Sequence, residues 1–283
     1  MDYEIVRLIQ SIRNPFFDWF FYIVTQLGDQ YIFILIAVLF YWTIDKRFAH
    51  KFVFAFIISA AVNSGLKETF QRIRPFYRPG IESEPHWQTD GYSFPSGHAQ
   101  AAGVIGYTGL KAYQKYGYKI LKVLSIFIMI FVPLSRIYLG QHYLTDVLVG
   151  LLLAYGIAAL MFKLVDRMKD EEDIYTLMLV PIFFILMLFV KNHDLYIAAG
   201  GFTGFALGYY LEKRYIKYDV KEKMIYQIIK VVVGIMIALA IKEGFKFIFP
   251  DTILFDFFRY SLIGIWAALG APWVFNYGKR YFK

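Results

Sequence analysis

Apolar runs long enough to cross a lipid bilayer recur along the whole chain. A helix of about 17–25 apolar residues spans a hydrocarbon core of about 30 Å. The predicted crossings cover residues 29–43, 50–70, 96–115, 119–137, 142–165, 174–191, 194–212, 226–249 and 253–277. The segments of about ten alternating polar and apolar residues that a membrane barrel requires are not seen. The sequence therefore predicts an all-α, polytopic membrane protein.

The N-terminal segment has a different pattern. Residues 3–13 place Ile5, Leu8, Ile9 and Ile12 on one helical face, which predicts a helix lying in the membrane interface. Acidic residues and the lack of an apolar run before Pro15 argue against a cleavable signal. The 283 residues include no Cys, so disulfides, thiolate metal sites and cysteine nucleophiles are excluded.

Basic residues mark the loops that we expect in the cytoplasm. Lys and Arg cluster after the first, third, seventh and ninth predicted crossings, and cytoplasmic loops carry such an excess. The residues are Lys46, Arg47, Lys51, Lys111, Lys115, Lys119, Lys213, Arg214, Lys217, Lys221, Lys223, Lys279, Arg280 and Lys283. We read the net charge of +8 as loop charge and not as a nucleic-acid surface. Loops 71–95 and 138–141 should then face the outside.

Three polar clusters fall at these outer loops. The first, KETFQRIRP, holds Lys67 and Arg74. Seven residues make two helical turns, so the two side chains can share a face. Pro75 disfavours helix at Arg74, so we expect the helix to end there. Arg72 lies off that face and is read as a charge facing lipid headgroups.

The second cluster, FPSGHAQAA, opens an apolar helix. Ser96 after a Pro is typical of an N-cap, and Gly97 leaves the first turn without a side chain. Free backbone N–H groups and the positive helix end then form an anion site. His98 lies one position inside it.

The third cluster, SRIYLGQHYLTD, places Arg136 at the end of one crossing and His142 and Asp146 at the start of the next. The last two are four residues apart, on one helical face. Asp146 can accept a hydrogen bond from one imidazole nitrogen, which fixes the tautomer and leaves the other lone pair facing out.

Together the clusters supply three permanent cations, a helix N-terminus and two His. Phosphate is the anion that best matches this charge, and two His suit a nucleophile and a general acid. Each element also has a structural reading, since a Lys or Arg at a helix end often snorkels to the interface and Asp146 can merely complement a helix dipole. Eleven specified positions on one membrane face favour the catalytic reading.

The motifs Lys67-x6-Arg74-Pro75, Pro95-Ser96-Gly97-His98 and Ser135-Arg136-x5-His142-x3-Asp146 resemble the three signatures of the type 2 phosphatidic acid phosphatase (PAP2) superfamily, with no substitution. The start, MDYEIVRLIQSI, is also similar to short bacterial members that dephosphorylate undecaprenyl pyrophosphate. The resemblance implies a PAP2-type helix bundle at residues 1–165 as the catalytic membrane domain. About four additional crossings at 174–277, without a comparable polar cluster, form an extension of unknown role.

The resemblance also implies roles for the motif residues. His142 attacks phosphorus and forms a phosphohistidine, Asp146 orients and charges His142, and His98 protonates the leaving oxygen and then activates water. The groups expected to hold the phosphoryl oxygens are Lys67, Arg74, Ser96, the Gly97 backbone and Arg136. No metal or other cofactor is expected, because fixed cations take its place.

The expected function is a metal-independent lipid phosphate phosphatase at the extracytoplasmic face of the plasma (inner) membrane. Undecaprenyl pyrophosphate is favoured, followed by phosphatidic acid, phosphatidylglycerophosphate or a sphingoid phosphate. Two alternatives stay open: a lipid phosphotransferase, and a transporter that only binds phosphate or lipid. No nucleic-acid partner is expected, and the sequence does not indicate an oligomeric state. His50 and His193, which lie outside the motifs, are read as structural.

Overall fold

The computed structural model describes residues 1–83 and 89–278. Three of the basic residues that orient the predicted topology, Lys279, Arg280 and Lys283, lie outside the described residues. The elements of the described chain are helices, which confirms the predicted all-α class.

Thirteen α-helices make up the described chain. They are Asp2–Gln10 (α1), Pro15–Gln26 (α2), Gln30–Leu39 (α3), Lys46–Phe70 (α4), Gly97–Tyr116 (α5), Lys119–Tyr138 (α6), Leu144–Arg167 (α7), Glu172–Met178 (α8), Val180–Phe189 (α9), His193–Leu211 (α10), Met224–Ile248 (α11), Ile253–Ile265 (α12) and Ala271–Gly278 (α13). Shorter elements are π-helical turns at Phe40–Ile44, Glu212–Ile216 and Trp266–Gly270 and a 3₁₀ turn at Pro75–Tyr77.

Capping residues explain where several helices begin and end. The side chain of Asn14 accepts a hydrogen bond from the Phe17 amide at 3.0 Å, and Pro15 occupies the first position of α2. Asn192 caps α10 in the same way, and Gly117 ends α5 with a φ of +80°. Side-chain oxygens satisfy N–H groups that have no partner within the helix, so these boundaries follow from the local sequence.

Within residues 1–83 and 89–278, six helical segments are long and apolar enough to cross a membrane. They are Lys46–Tyr77, Lys119–Tyr138, Leu144–Arg167, Glu172–Phe189, Met224–Ile248 and Ile253–Gly278. The pair Pro15–Gln26 and Gln30–Ile44, bent by 47°, adds a seventh if it forms one span. Helices α5 and α10 occupy two further predicted crossings but are rich in Gly, Ala and Tyr and fall outside this set. The multi-pass membrane prediction is confirmed, and the number nine stays a prediction.

The chain folds into two compact units. The first comprises Met1–Ile34 and Ile58–Phe162, and the second comprises Leu35–Ile57 and Lys163–Lys283. Residues 35–57 thus group with the C-terminal part of the chain, whereas the sequence placed them with residues 1–165. The functional division into 1–165 and 174–277 stays a prediction, because compactness does not report function.

In the first unit, glycines let α5 and α7 approach each other closely. A Cβ atom on Gly103 of α5 would lie 2.6 Å from the carbonyl oxygen of Leu151 on α7. A Cβ atom on Gly150 of α7 would lie 2.7 Å from the carbonyl oxygen of Ser96, just before α5. These approaches hold the beginning of α5 against α7, where the second and third sequence clusters meet.

In the second unit, α10 packs against α12 through small residues. A Cβ atom on Gly264 would lie 2.7 Å from both the carbonyl oxygen of Gly201 and the amide of Phe205. Small residues that bring two backbones together are a common basis of helix association in membranes.

Candidate active site

The first motif does not lie on one helix. Helix α4 ends at Phe70, and Gln71 adopts a φ of +45°. Arg74 follows in extended conformation, with φ −70° and ψ 152°, before Pro75. The expectation that the helix continues to Arg74 is therefore wrong by four residues, because the backbone leaves the helix well before the proline. Lys67 lies in the last turn of α4 and Arg74 in the loop beyond it.

His142 is held in one tautomer by a backbone carbonyl. Its Nδ1 lies 2.7 Å from the carbonyl oxygen of Ser93, which can only accept a hydrogen bond, so Nδ1 carries the proton. The other nitrogen, Nε2, carries the lone pair and accepts a hydrogen bond from Nη1 of Arg74 at 3.0 Å. His142 is 2% exposed, so Nε2 lies in a largely buried site.

Asp146 does not bond directly to His142. The distance from Nδ1 of His142 to Oδ2 of Asp146 is 3.7 Å, too long for a hydrogen bond. Oδ2 instead accepts hydrogen bonds from the Ser93 hydroxyl and from the Tyr143 amide, the latter at 2.9 Å. The predicted direct bond is therefore wrong, because Ser93 stands between the two side chains and holds both.

Arg72 belongs to this network, contrary to the expectation that it faces lipid headgroups. Its Nη1 donates to Oδ1 of Asp146 at 2.6 Å, and its guanidinium lies 4.0 Å from the centre of the Tyr143 ring. Sequence reasoning missed it because it assumed a helix through this segment. Residues 72 and 74 are two apart in an extended stretch, where alternate side chains point the same way, and that spacing could have revealed it.

The two motif arginines are positioned by neutral acceptors. Arg74 is 1% exposed and donates to the carbonyl oxygens of Asp90, Gly91 and Gln141 at 2.9, 3.0 and 3.1 Å. Arg136 is also buried, and it donates to two hydroxyl oxygens at 2.8 and 3.0 Å, those of Thr25 and Thr89. These hydrogen bonds fix the position and the direction of both guanidinium groups.

The second motif begins α5 as predicted. Ser96 is the N-cap, with its hydroxyl 3.4 Å from the Ala99 amide, and its own amide donates to the carbonyl of Asp146 at 3.0 Å. A Cβ atom on Gly97 would meet no atom within 4 Å, so open space lies beside the first turn. His98 follows, partly exposed at the same helix end. The helix N-terminus therefore faces a space that an anion could fill.

The charged residues of the motifs lie close enough to His142 to change its pKa. Burial lowers the pKa of His142 well below its usual value, and the positive charges of Arg74, Arg136 and Lys67 lower it further. The same three cations also act on His98. A neutral His142 beside three cations is suited to attack an anionic phosphorus centre.

The second unit contains a different set of buried charges, which we name the acid cluster: Glu172, Asp173 and Glu212. Each is at most 1% exposed. Their cationic neighbours are Lys46 at 2.8 Å from Glu212, Lys213 at 2.9 Å from Glu172 and Arg214 at 2.7 Å from Asp173. Glu172 and Asp173 precede residue 174, so the expectation that residues 174–277 carry no comparable polar cluster stays a prediction.

The two remaining histidines have structural contacts. His50 is fully buried, with Nε2 2.8 Å from the Thr176 hydroxyl and its ring stacked on Tyr209. Nε2 of His193 lies 2.7 Å from Asp256. In the part of the chain that the structure describes, no group of three or more His, Asp or Glu side chains is placed to hold a metal ion.

Comparison with known families gives two matches within one superfamily. Residues 48–170 match the family described as PAP2 superfamily. Residues 196–279 match the family described as PAP2 superfamily phosphatase, transmembrane extension. The first match contains all three motifs, and the second falls in the C-terminal part of the chain.

Curated relatives act on several lipid phosphates by name. Sphingosine-1-phosphate phosphatase 2 of Mus musculus is 24% identical over 216 residues, 71% of this chain. Phosphatidylglycerophosphatase B of Bacillus subtilis is 32% identical over 116 residues, 39% of this chain and 52% of the relative. Undecaprenyl-diphosphatase of Sulfolobus acidocaldarius is 28% identical over 160 residues, 56% of this chain and 75% of the relative. The chain spans 60% and 48% of the length of the two mouse sphingosine-1-phosphate phosphatases that it matches.

Two crystal structures share the fold. That of a transmembrane PAP2 type phosphatidylglycerolphosphate phosphatase from Bacillus subtilis aligns with a TM-score of 0.50 and 25% identity, covering 59% of this chain and 86% of that one. Aquifex aeolicus LpxE aligns with a TM-score of 0.50 and 25% identity, covering 56% of this chain and 93% of that one.

Proposed function

Because the chain belongs to the PAP2 superfamily and carries both its domain and its transmembrane extension, we propose that it is a lipid phosphate phosphatase that works through a phosphohistidine on His142. The observation that carries this proposal is the state of His142. Its Nδ1 proton is held by the Ser93 carbonyl, and its Nε2 lone pair lies beside Arg74 among three cations. Binding alone needs only the cations, whereas an oriented, neutral imidazole suits a nucleophile.

The first half-reaction transfers the phosphoryl group to the protein. Nε2 of His142 attacks phosphorus in line, and an N–P bond forms as the bond to the leaving oxygen breaks. The leaving oxygen keeps the electron pair and takes a proton from His98. Arg74, Arg136 and Lys67 stabilise the negative charge on the phosphoryl oxygens in the transition state.

The second half-reaction restores the enzyme. His98, now neutral, accepts a proton from water as the water oxygen attacks phosphorus. The N–P bond breaks, its electron pair returns to Nε2 of His142, and inorganic phosphate leaves. The amides at the beginning of α5 supply further donors to the phosphoryl oxygens, since Gly97 leaves that helix end open.

A site beside membrane-spanning helices favours an amphiphilic substrate over a soluble sugar phosphate. The excess of Lys and Arg in alternate loops supports an active site on the extracytoplasmic side of the plasma (inner) membrane. Undecaprenyl pyrophosphate is our first candidate, supported by the relative from Sulfolobus acidocaldarius. The match extends over 75% of that relative's length. A sphingoid phosphate is the second candidate, because the mouse match extends over 71% of this chain.

The test is phosphate release by the purified chain in detergent, with EDTA present. The panel contains undecaprenyl pyrophosphate, phosphatidic acid, phosphatidylglycerophosphate, sphingosine phosphate and glucose 6-phosphate, with His142→Ala beside the wild type. We expect release from one or more lipids and none from the variant. Release that persists in His142→Ala contradicts the mechanism, and loss of activity with EDTA contradicts its independence from metal. Label that appears on an acceptor lipid and not as free phosphate identifies a phosphotransferase instead.

A further inference from the structure

Arg72 joins the buried carboxylate of Asp146 to helix α1. Its Nη1 donates to Asp146 at 2.6 Å, and its Nη2 donates to Oδ2 of Asp2 at 2.8 Å. The hydroxyl of Thr145 accepts from Arg72 at 2.6 Å and donates to the same oxygen of Asp2. The guanidinium thus links the carboxylates of Asp2 and Asp146, which are 144 positions apart in the sequence.

Helix α1 is firmly attached where this link begins. Val6 is fully buried in a cluster with Ile81 and Tyr143. The Gln10 side chain donates to the carbonyl of Glu82 at 2.9 Å and accepts from its amide at 3.0 Å. Asp2 is therefore presented by an ordered helix and can act as a fixed charge.

The three groups alternate in charge. Asp146 is fully buried, and a buried carboxylate is costly unless a charged partner compensates it. Partial burial opposes ionisation of Asp2, but hydrogen bonds from Thr145 and Arg72 outweigh it and lower the pKa of Asp2. Asp2, Arg72 and Asp146 therefore form a row of alternating charge that runs from α1 to the site.

We propose that Asp2 and Arg72 are a positioning pair that fixes Asp146 and sets the charge acting on His142, so that the first residue of α1 contributes to the site. The inference rests on the proposed function and concerns the same site. By holding Oδ1, Arg72 turns Oδ2 of Asp146 towards the Ser93 hydroxyl and the Tyr143 amide. Asp2 in turn balances the charge of Arg72.

Opposite charge changes at the two positions should move the titration of His142 in opposite directions. Arg72→Gln removes a positive charge, which makes protonation of His142 easier and moves the acid limb of the rate profile to higher pH. Asp2→Asn removes a negative charge and moves that limb to lower pH. The other charged or titratable groups that face His142, which are Lys67, Arg74, Arg136, Asp146 and His98, are unchanged in both variants.

The rates should fall without a loss of substrate binding. We expect Arg72→Gln to lower kcat by about 10- to 100-fold, because Asp146 and Ser93 lose a fixed geometry. Asp2→Asn should lower kcat by about 3-fold, since it loses one partly exposed ion pair.

KM should change little in either variant, since neither group is placed to touch the phosphate. The double variant should be no slower than Arg72→Gln alone, because Asp2 acts through Arg72. Arg72→Lys should restore part of the rate.

Helix α1 offers matched controls. Arg7 and Glu4 form an ion pair at 3.8 Å whose side chains are 54% and 67% exposed. Arg7→Gln and Glu4→Gln remove the same kinds of charge from α1, and both should retain wild-type rates and pH profiles.

The experiment measures kcat and KM across pH for all these variants, together with the titration of ¹⁵N-labelled histidines by NMR in detergent. His142 is assigned from the signal missing in His142→Ala. Opposite shifts in the two charge variants support the positioning pair. Unchanged titration, shifts in the same direction, or an equal loss in Arg7→Gln would overturn it. If the shifts appear while the wild type releases no phosphate, the proposed function fails and the pair stands; if the wild type is active without the shifts, only the pair fails.

Discussion

The candidate active site of the first unit and the acid cluster of the second are both buried and charged, but the contacts described for their cations differ. Arg74 and Arg136 donate to carbonyl and hydroxyl oxygens, whereas Lys213 and Arg214 contact carboxylates. A carbonyl or hydroxyl oxygen holds a guanidinium in one orientation. Carboxylates close an ion pair, which ties helices together. Similar residue types therefore predict catalysis in one unit and stability in the other.

The largest effect should come from removing a cation of the active site. We expect Arg74→Gln to lower kcat/KM by about 10²- to 10³-fold, because a donor to the transition-state charge is lost. Arg74→Lys should recover little, since the forked geometry is missing. The matched control is Arg47→Gln in the second unit, where Arg47 lies 3.7 Å from Asp170 and 3.8 Å from Glu172. An equal loss of activity in both variants would remove the distinction between the two sites.

Breaking the acid cluster should cost stability and spare activity. Asp173→Asn leaves Arg214 without its carboxylate and Lys213 with Glu172 alone, which should cost about 2–3 kcal/mol, less than for a fully buried pair because Arg214 is 40% exposed. Asp170→Asn, at a position 96% exposed, should be neutral. Thermal unfolding and phosphate release measured on the same samples check this. A rate that falls while the midpoint of unfolding stays constant would assign the cluster a functional role.

A smaller effect should follow from a methyl group at the contact between α7 and α5. Gly150→Ala would place its Cβ 2.7 Å from the carbonyl of Ser96, so the start of α5 must shift, and we expect about a 10-fold lower kcat. Gly156, on the same helix, has no atom within 4 Å of such a Cβ. Gly156→Ala should keep full activity, and equal losses in the two variants would indicate a general intolerance of α7 to alanine.

The smallest predicted effect is the position of the acid limb in the pH profile of the rate. His142 must be neutral to attack, and its pKa is lowered by burial and by Arg74, Arg136 and Lys67, so the acid limb of kcat/KM should lie below the ordinary 6.5. The unfolded chain binds a proton at His142 that the folded chain rejects, so stability should also fall as pH drops below 6.5. This contribution to the pH dependence of stability should be absent in His142→Ala. An acid limb above 6.5 would contradict the lowered pKa.

Much of the fold and of the site's membership could be predicted from local signals. Apolar length predicts the membrane helices, Asn14-Pro15 and Ser96 mark helix starts, and the spacing of His142 and Asp146 identifies a pair near one helix start. These signals act over a few residues, where backbone geometry alone decides which side chains are neighbours.

The connections within the site could not be predicted in this way. Arg72 meets Asp146 and Asp2 across 74 and 70 residues of sequence, and Ser93 meets His142 across 49. Periodicity within one helix does not report contacts between elements. The assumption of helix through Arg72 then concealed its role, since the backbone turns at Gln71 and changes the direction of every later side chain.

The central claim is that His142 is the nucleophile, and trapping the intermediate tests it most directly. Wild-type enzyme and His142→Ala would be mixed with a lipid phosphate bearing a radiolabelled terminal phosphate and quenched in alkali during the first turnover. Peptides would then be mapped by mass spectrometry under alkaline conditions that preserve phosphohistidine. The account predicts label on the peptide that contains His142 in the wild type and no labelled protein in the variant. Steady phosphate release by the wild type with no labelled histidine at any quench time, or label on another residue, would contradict it.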